Sequence, residues 1–154
     1  MTFSVREAIT KDIEELLRLW QERTDIYLQS ERRQRIKQET WREAVLNWIQ
    51  HDDAVVLVAD RDGQLIGYIV GWVWHNPPLI EPAHYGLVSE MSVDGHCKQG
   101  GVGTAMLDHL KTWFRERELG YFEVRVPVRQ PIEQAFWRAV GAKDFYDHLY
   151  YRLD

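Results

Sequence analysis

Met91-Ser92-Val93-Asp94-Gly95-His96-Cys97-Lys98-Gln99-Gly100-Gly101-Val102-Gly103-Thr104 is the stretch whose residue types and spacing suit chemistry. An apolar, β-rich run enters a short turn, three glycines follow within four positions, and a helical apolar periodicity begins at Val102. Free N–H groups and the dipole at such a helix start attract an anion. Glycines let the backbone approach phosphate oxygens closely and allow positive φ. Lys98 adds a cation at the rim. The pattern fits a pyrophosphate. There is no Gly-Lys-Ser/Thr, which excludes a Walker-type nucleotide loop, and no Gly-x-Gly-x-x-Gly, which disfavours a dinucleotide fold. The plain alternative is a glycine-rich turn with no ligand.

Periodicity shows which elements must hold this turn. Residues 3–8 alternate and read as a short first strand. Thr10 is placed to cap a helix, with Asp12 and Glu14 at its positive end and Ile13, Leu16, Leu17 and Trp20 as its apolar stripe. Residues 29–38 are dense in Arg, Gln and Glu and read as exposed. A second helix follows Thr40, on Trp41, Val45, Trp48 and Ile49. The period then changes. Residues 54–59 form a continuous β-rich run of the buried kind, Asp62-Gly63 is a hairpin signal, and 65–74 is the returning strand.

Asn76-Pro77-Pro78 and Glu81-Pro82 mark a loop, and 87–93 is a further strand ended by Asp94-Gly95. Met106, Leu110, Trp113 and Phe114 continue the helix opened at Val102, which Gly120 stops, and 121–128 is another strand. Pro131 suits the first turn of a late helix and Gly141 its C-cap. The tail from Phe145 to Leu153 reads as one or two closing strands. Residues 1–154 are therefore expected to form a single α/β domain.

Composition agrees. The chain has 154 residues, 45% hydrophobic and 28% charged, which is ordinary for a globular domain and excludes intrinsic disorder. With 19 Lys+Arg against 24 Asp+Glu the net charge is −5, which argues against a nucleic-acid binder and is compatible with a cationic substrate. No apolar run is long enough to span a membrane and the first residues lack signal-peptide architecture, so a cytoplasmic location is expected. Cys97 is the single cysteine and has no thiol partner for a disulfide or a zinc site.

Residues 93–104 resemble the acetyl-CoA signature of the GCN5-related N-acetyltransferases, Gln/Arg-x-x-Gly-x-Gly/Ala at the opening of the helix after the central strand. Gly101 and Gly103 match, and Lys98 stands at the Gln/Arg position, keeping the charge but losing a forked donor. Residues 62–69 resemble the hairpin before that strand. Gln130 together with 135–142 resembles the late helix, Asn-x-x-Ala-x-x-x-Tyr-x-x-x-Gly-Phe. The likeness runs from 54 to 153.

The resemblance implies a mixed, mostly antiparallel sheet of about six to seven strands with about four helices, its central strand pair splayed around pantetheine. It implies acyl-CoA-dependent transfer of acetyl to a primary amine of a small molecule or protein, with no metal, and a homodimer. Backbone groups of Met91 and Val93 would bind the pantetheine arm, and amides of Gln99, Gly100, Gly101, Val102, Gly103 and Thr104 the pyrophosphate. Gln130 stands where the family often has a cofactor-touching Asn. Trp137 replaces the Tyr that commonly protonates the leaving thiolate. Indole has no acidic proton to give, so Trp137 is left to pack against pantetheine or to fill the core.

Attack on a thioester also needs a polarised carbonyl, which N–H donors near Met91 could supply, and an amine freed of its proton. Glu90, beside the expected bulge, is the first candidate base, and His84, whose ordinary pKa is near neutrality, the second. Glu90 reads equally well as a surface charge or structural partner. Tyr146, Tyr150 and Tyr151 are candidate replacement acids. Histidines 75, 84, 96 and 109 fall on separate elements, without metal-ligand clustering. Cys97 has no activating neighbour in view. Trp20, Tyr27, Trp72 and Trp74 read as core, with some able to line an amine pocket by cation–π contact. The missing Tyr leaves open a CoA-binding sensor without catalysis, and a binder of another phosphate anion is a third reading.

Overall fold

The structure, a computed structural model, describes residues 2–28, 40–97 and 100–153. The segment 29–38, Lys98, Gln99 and the Tyr27 side chain lie outside the described residues. Strand β1 (Ser4–Glu7) leads through a 3-10 turn (Thr10–Asp12) into α1 (Ile13–Leu28) and then α2 (Trp41–Gln50). Strands β2 (Ala54–Arg61), β3 (Gln64–His75) and β4 (His84–Val93) follow. Helix α3 (Val102–Glu116) crosses over to β5 (Phe122–Val124), and α4 (Pro131–Ala139) follows. The five strands lie in chain order in one sheet, antiparallel from β1 to β4 and parallel between β4 and β5.

Both sheet faces are covered, which is why the central strands read as unbroken apolar runs. Leu16, Leu19 and Trp20 of α1 and Trp41 and Val45 of α2 pack on Val56, Val58, Tyr68 and Val70. Met106, Leu107 and Leu110 of α3 and Trp137 of α4 pack on Leu57, Ile69 and Val88 of the other face. The β2–β3 hairpin turns on Asp62 (φ 55°) and Gly63 (φ 88°), both left-handed as a type I′ turn requires. Among the described residues no helix is long and apolar enough to cross a membrane.

Three expectations need correction. Among the described residues the sheet has five strands, because 143–153 takes no regular structure, and β5 is shorter than 121–128. Leu149, Tyr151 and Leu153 are 86%, 88% and 94% exposed. Their alternation supplies a strand face, but a strand also needs an edge to pair with. Thr10 caps nothing: the Asp12 carboxylate accepts the Ile9 N–H at 2.8 Å while Arg6 holds it from below at 2.8 and 3.0 Å. Helix α3 ends at Glu116, ahead of Gly120, where Glu118 takes a left-handed φ of 60°.

Candidate active site

Strand β4 is where the sheet opens. Its partner β5 reaches only Gly86, Leu87 and Val88, so beyond these the outer edge of β4 has no strand beside it among the described residues. The Asp94 N–H donates to the Ile66 carbonyl at 2.8 Å, which turns the main chain of Asp94 and Ser92 toward β3. Antiparallel alternation then points the N–H and C=O of Met91 and Val93 at the open edge. The Met91 carbonyl indeed lies off the sheet, where it accepts Arg23 Nε from α1 at 3.1 Å.

At the end of that edge lies the start of α3. Asp94 shapes the turn: its Oδ1 accepts the His96 N–H at 2.9 Å, its carbonyl accepts the Cys97 N–H at 2.8 Å, and Arg18 Nη1 donates to Oδ2 at 3.0 Å. The bond from His96, against some burial and helped by Arg18, holds the Asp94 carboxyl below its ordinary pKa. Gly101 is the N-cap with φ 75°, and no side chain caps the helix among the described residues. The first-turn N–H groups of Val102, Gly103 and Thr104 have no acceptor within the helix, an arrangement that suits an anion. A Cβ on Gly103 would stand 2.8 Å from Met91 Cε and 3.1 Å from a Phe136 ring carbon, so glycine there lets the helix start, β4 and α4 close together.

Glu90 owes its direction to a bulge. Val70 pairs with Glu90 but Gly71 pairs with Val88, leaving Ser89 as the extra residue. Strict alternation groups Val88 with Glu90 and Ser92; the bulge separates them. Val88 packs on the α3 side, while Ser92 reaches α1 through its hydroxyl, 3.2 Å from the Leu19 carbonyl. Tyr68 Oη donates to Glu90 Oε2 at 2.9 Å. Burial pushes the Glu90 carboxyl above its ordinary pKa, while the Arg23 charge and the Tyr68 bond pull the other way.

The remaining candidates are scattered. Trp72 Nε1 donates to Ser89 Oγ at 3.0 Å, and Trp74 meets the Trp72 ring edge-on at 6.1 Å, 45% exposed. Trp20 is core, 5.3 Å from the Trp41 ring. His84 begins β4 against His75, ring centroids 4.7 Å apart, roughly 20 Å along the strand from Glu90. Gln130 caps α4 at the end of the molecule where α3 starts. Trp137 is 5% exposed, between the Phe122 and Phe136 rings. Cys97 is buried in the α3-side core. Tyr146, Tyr150 and Tyr151 lie on the exposed tail. Among the described residues no three His, Cys, Asp or Glu gather around a metal position.

Tyr68, Arg23 and the Arg18–Asp94 pair escaped sequence reasoning. The one available signal was Tyr68 itself, since a phenol inside a buried strand needs a polar partner.

An antiparallel sheet opening at a parallel junction, with a glycine-started crossover helix at the opening, defines a class, and the sequence profile of the Acetyltransferase (GNAT) family matches residues 13–142. The chain belongs to that family. It is 29% identical over 89 residues to the uncharacterized N-acetyltransferase MJ1530 of Methanocaldococcus jannaschii, a match spanning 56% of this chain and 51%, about half, of that protein. The fold superposes on a tetramutant of the BH1408 protein of Bacillus halodurans with a TM-score of 0.83 at 17% identity, covering 97% of this chain and 99% of that one. It superposes equally, at 0.83 and 14% identity, on the aminoglycoside N-acetyltransferase AAC(6')-Iy in complex with CoA, covering 99% and 95%.

Proposed function

We propose that this chain transfers acetyl from acetyl-CoA to a primary amine of a small molecule or protein by direct attack. The observation that carries this reading is the α3 start at Gly101, which no side chain caps among the described residues, set at the end of a β4 edge with no strand beside it among those residues, where the Met91 and Val93 main chain points outward. Amides of Gly101, Val102, Gly103 and Thr104 take the pyrophosphate, whereas the Gly100 N–H donates to the Cys97 carbonyl at 3.1 Å; Lys98 and Gln99, outside the described residues, stay candidates on the sequence pattern. Met91 and Val93 take the pantetheine arm as an added strand would be taken. Gln130 and the Trp137 ring edge border the arm from α4.

The thioester supplies an activated acyl carbon. Glu90 accepts the ammonium proton, so that the amine lone pair can form the new C–N bond. A main-chain N–H near Met91 steadies the oxyanion, the nitrogen of the tetrahedral intermediate gives its surplus proton to water, and the C–S bond then breaks to leave the neutral amide. CoA leaves as thiolate, tolerable with a thiol pKa of about 8.5. His84 ranks behind Glu90 because it sits at the far end of β4. A cytoplasmic location suits both the donor and the reduced Cys97. We include a homodimer, with the exposed apolar tail 143–153 as the surface to be buried. No metal or nucleic acid enters the proposal.

Trp137 favours a second reading, a CoA sensor without turnover, since indole donates no proton to a thiolate. Thermal shifts with acetyl-CoA, CoA and ATP, then thiol release against an amine panel, separate the two. Stabilisation by both CoA species with turnover supports the enzyme, and stabilisation without turnover the sensor. Absence of stabilisation by either overturns both.

A further inference from the structure

Tyr68 is 1% exposed and its ring lies among the α1- and α2-side core, so water does not reach its hydroxyl freely. A phenol buried there needs an acceptor, and Glu90 Oε2 is that acceptor at 2.9 Å. The bond occupies one of the two carboxylate oxygens. Arg23 approaches from α1, bonded at 3.1 Å to the main-chain carbonyl of the very next residue, Met91, and its charge acts on Glu90. Tyr68 from β3 and Arg23 from α1 are the charged and titratable groups facing Glu90 among the described residues.

We infer that Tyr68 and Arg23 are positioning residues for Glu90: the phenol fixes which carboxylate oxygen receives the amine proton, and the guanidinium, itself held at the β4 edge by the Met91 carbonyl, faces the carboxylate with opposite charge. The inference rests on the reading of Glu90 as the base. Neither residue touches the reacting atoms in this account. Both favour the charged carboxylate, the Tyr68 bond by direct donation and Arg23 by opposite charge. Together they oppose the burial that raises the Glu90 carboxyl above its ordinary pKa.

The test follows the Glu90 side-chain carboxyl by carbon NMR across pH in uniformly labelled protein, its signal assigned by loss in Glu90→Gln. Tyr68→Phe and Arg23→Gln are expected to move the Glu90 titration to higher pH, and Arg23→Lys to restore part of the shift. Each variant is expected to keep its thermal shift with CoA and, with one active amine, to lose about ten-fold in kcat at pH 7. A Glu90 titration unmoved in both Tyr68→Phe and Arg23→Gln overturns the inference, even where Glu90→Gln is inactive and the base assignment stands. Full turnover in Glu90→Gln instead overturns the base assignment. Should Tyr68→Phe fail to fold, Arg23→Gln, at a partly exposed helix position, decides alone.

Discussion

Arg18 and Asp94 join two parts of the chain that sequence separation hides: Nη1 of the first lies 3.0 Å from Oδ2 of the second, tying α1 to the turn that leads into α3. The same guanidinium donates to the Leu65 carbonyl at 2.7 Å and pairs with Glu15 at 3.1 Å. The proposed diphosphate cradle is thus braced from the opposite side of the sheet.

Asp94→Asn is expected to lose the Arg18 ion pair and to weaken the turn, lowering stability by about 1–3 kcal/mol at pH 7 and raising the Kd for CoA. The Asp94 carboxyl sits below its ordinary pKa, through the His96 N–H first and Arg18 after it. Its contribution is therefore present above the ordinary carboxylate range and is lost as pH falls through the lowered value. Melting curves of both proteins from pH 7 down into the acid range are expected to converge.

Glu90→Gln is expected to cut turnover at pH 7 by about 100-fold, as loss of a general base does. Its effect on stability has the opposite sign. Burial raises the Glu90 carboxyl, so the wild type carries a penalty once the group ionises, and that penalty vanishes below the ordinary glutamate range. The variant is expected to melt higher than the wild type at pH 8 and equally at low pH, which differential scanning calorimetry reads directly.

Gly101→Ala and Gly103→Ala fail for different reasons. At Gly101 a Cβ meets open space but φ is 75°, so the cost is backbone strain of about 1 kcal/mol and CoA affinity falls modestly. At Gly103 the Cβ drives into Met91 and Phe136, so the β4–α3–α4 junction shifts and CoA affinity falls further. Asp at Gly101 adds like charge against the diphosphate and is expected to abolish binding with folding retained. Calorimetric titration with CoA ranks the three.

Removal of 143–153 is expected to leave a folded chain with an unchanged CoA-dependent thermal shift, since the segment adds no regular structure to the sheet. The proposed homodimer is expected to disappear with it. Sedimentation velocity of the two chains compares their masses.

Local chemistry made much of this legible. Asp62-Gly63 carries its own turn preference, and the Val102-Met106-Leu110-Phe114 spacing carries its own helical face, so neither depends on distant residues. The glycine-rich turn was visible for the same reason. Glu90 could be singled out beside the expected bulge, but its bond to Tyr68 could not, because the two are 22 residues apart and meet only once two strands adopt a particular register. The tail failed from the other direction: Phe145, Leu149 and Leu153 have the character of strand residues, but pairing is a property of the edge they would join.

Ser89 carries the widest consequence for its size. One surplus residue lets β4 serve two addressees in succession: up to Val88 it keeps step with β5, and after it the same strand is turned half a period. The Glu90 carboxylate thereby lies with Tyr68, on the side proposed for the amine, while the main chain of Met91 and Val93 keeps to the edge proposed for the donor. In the proposed reaction, a chain without that surplus would not bring the two reactants to a common meeting point.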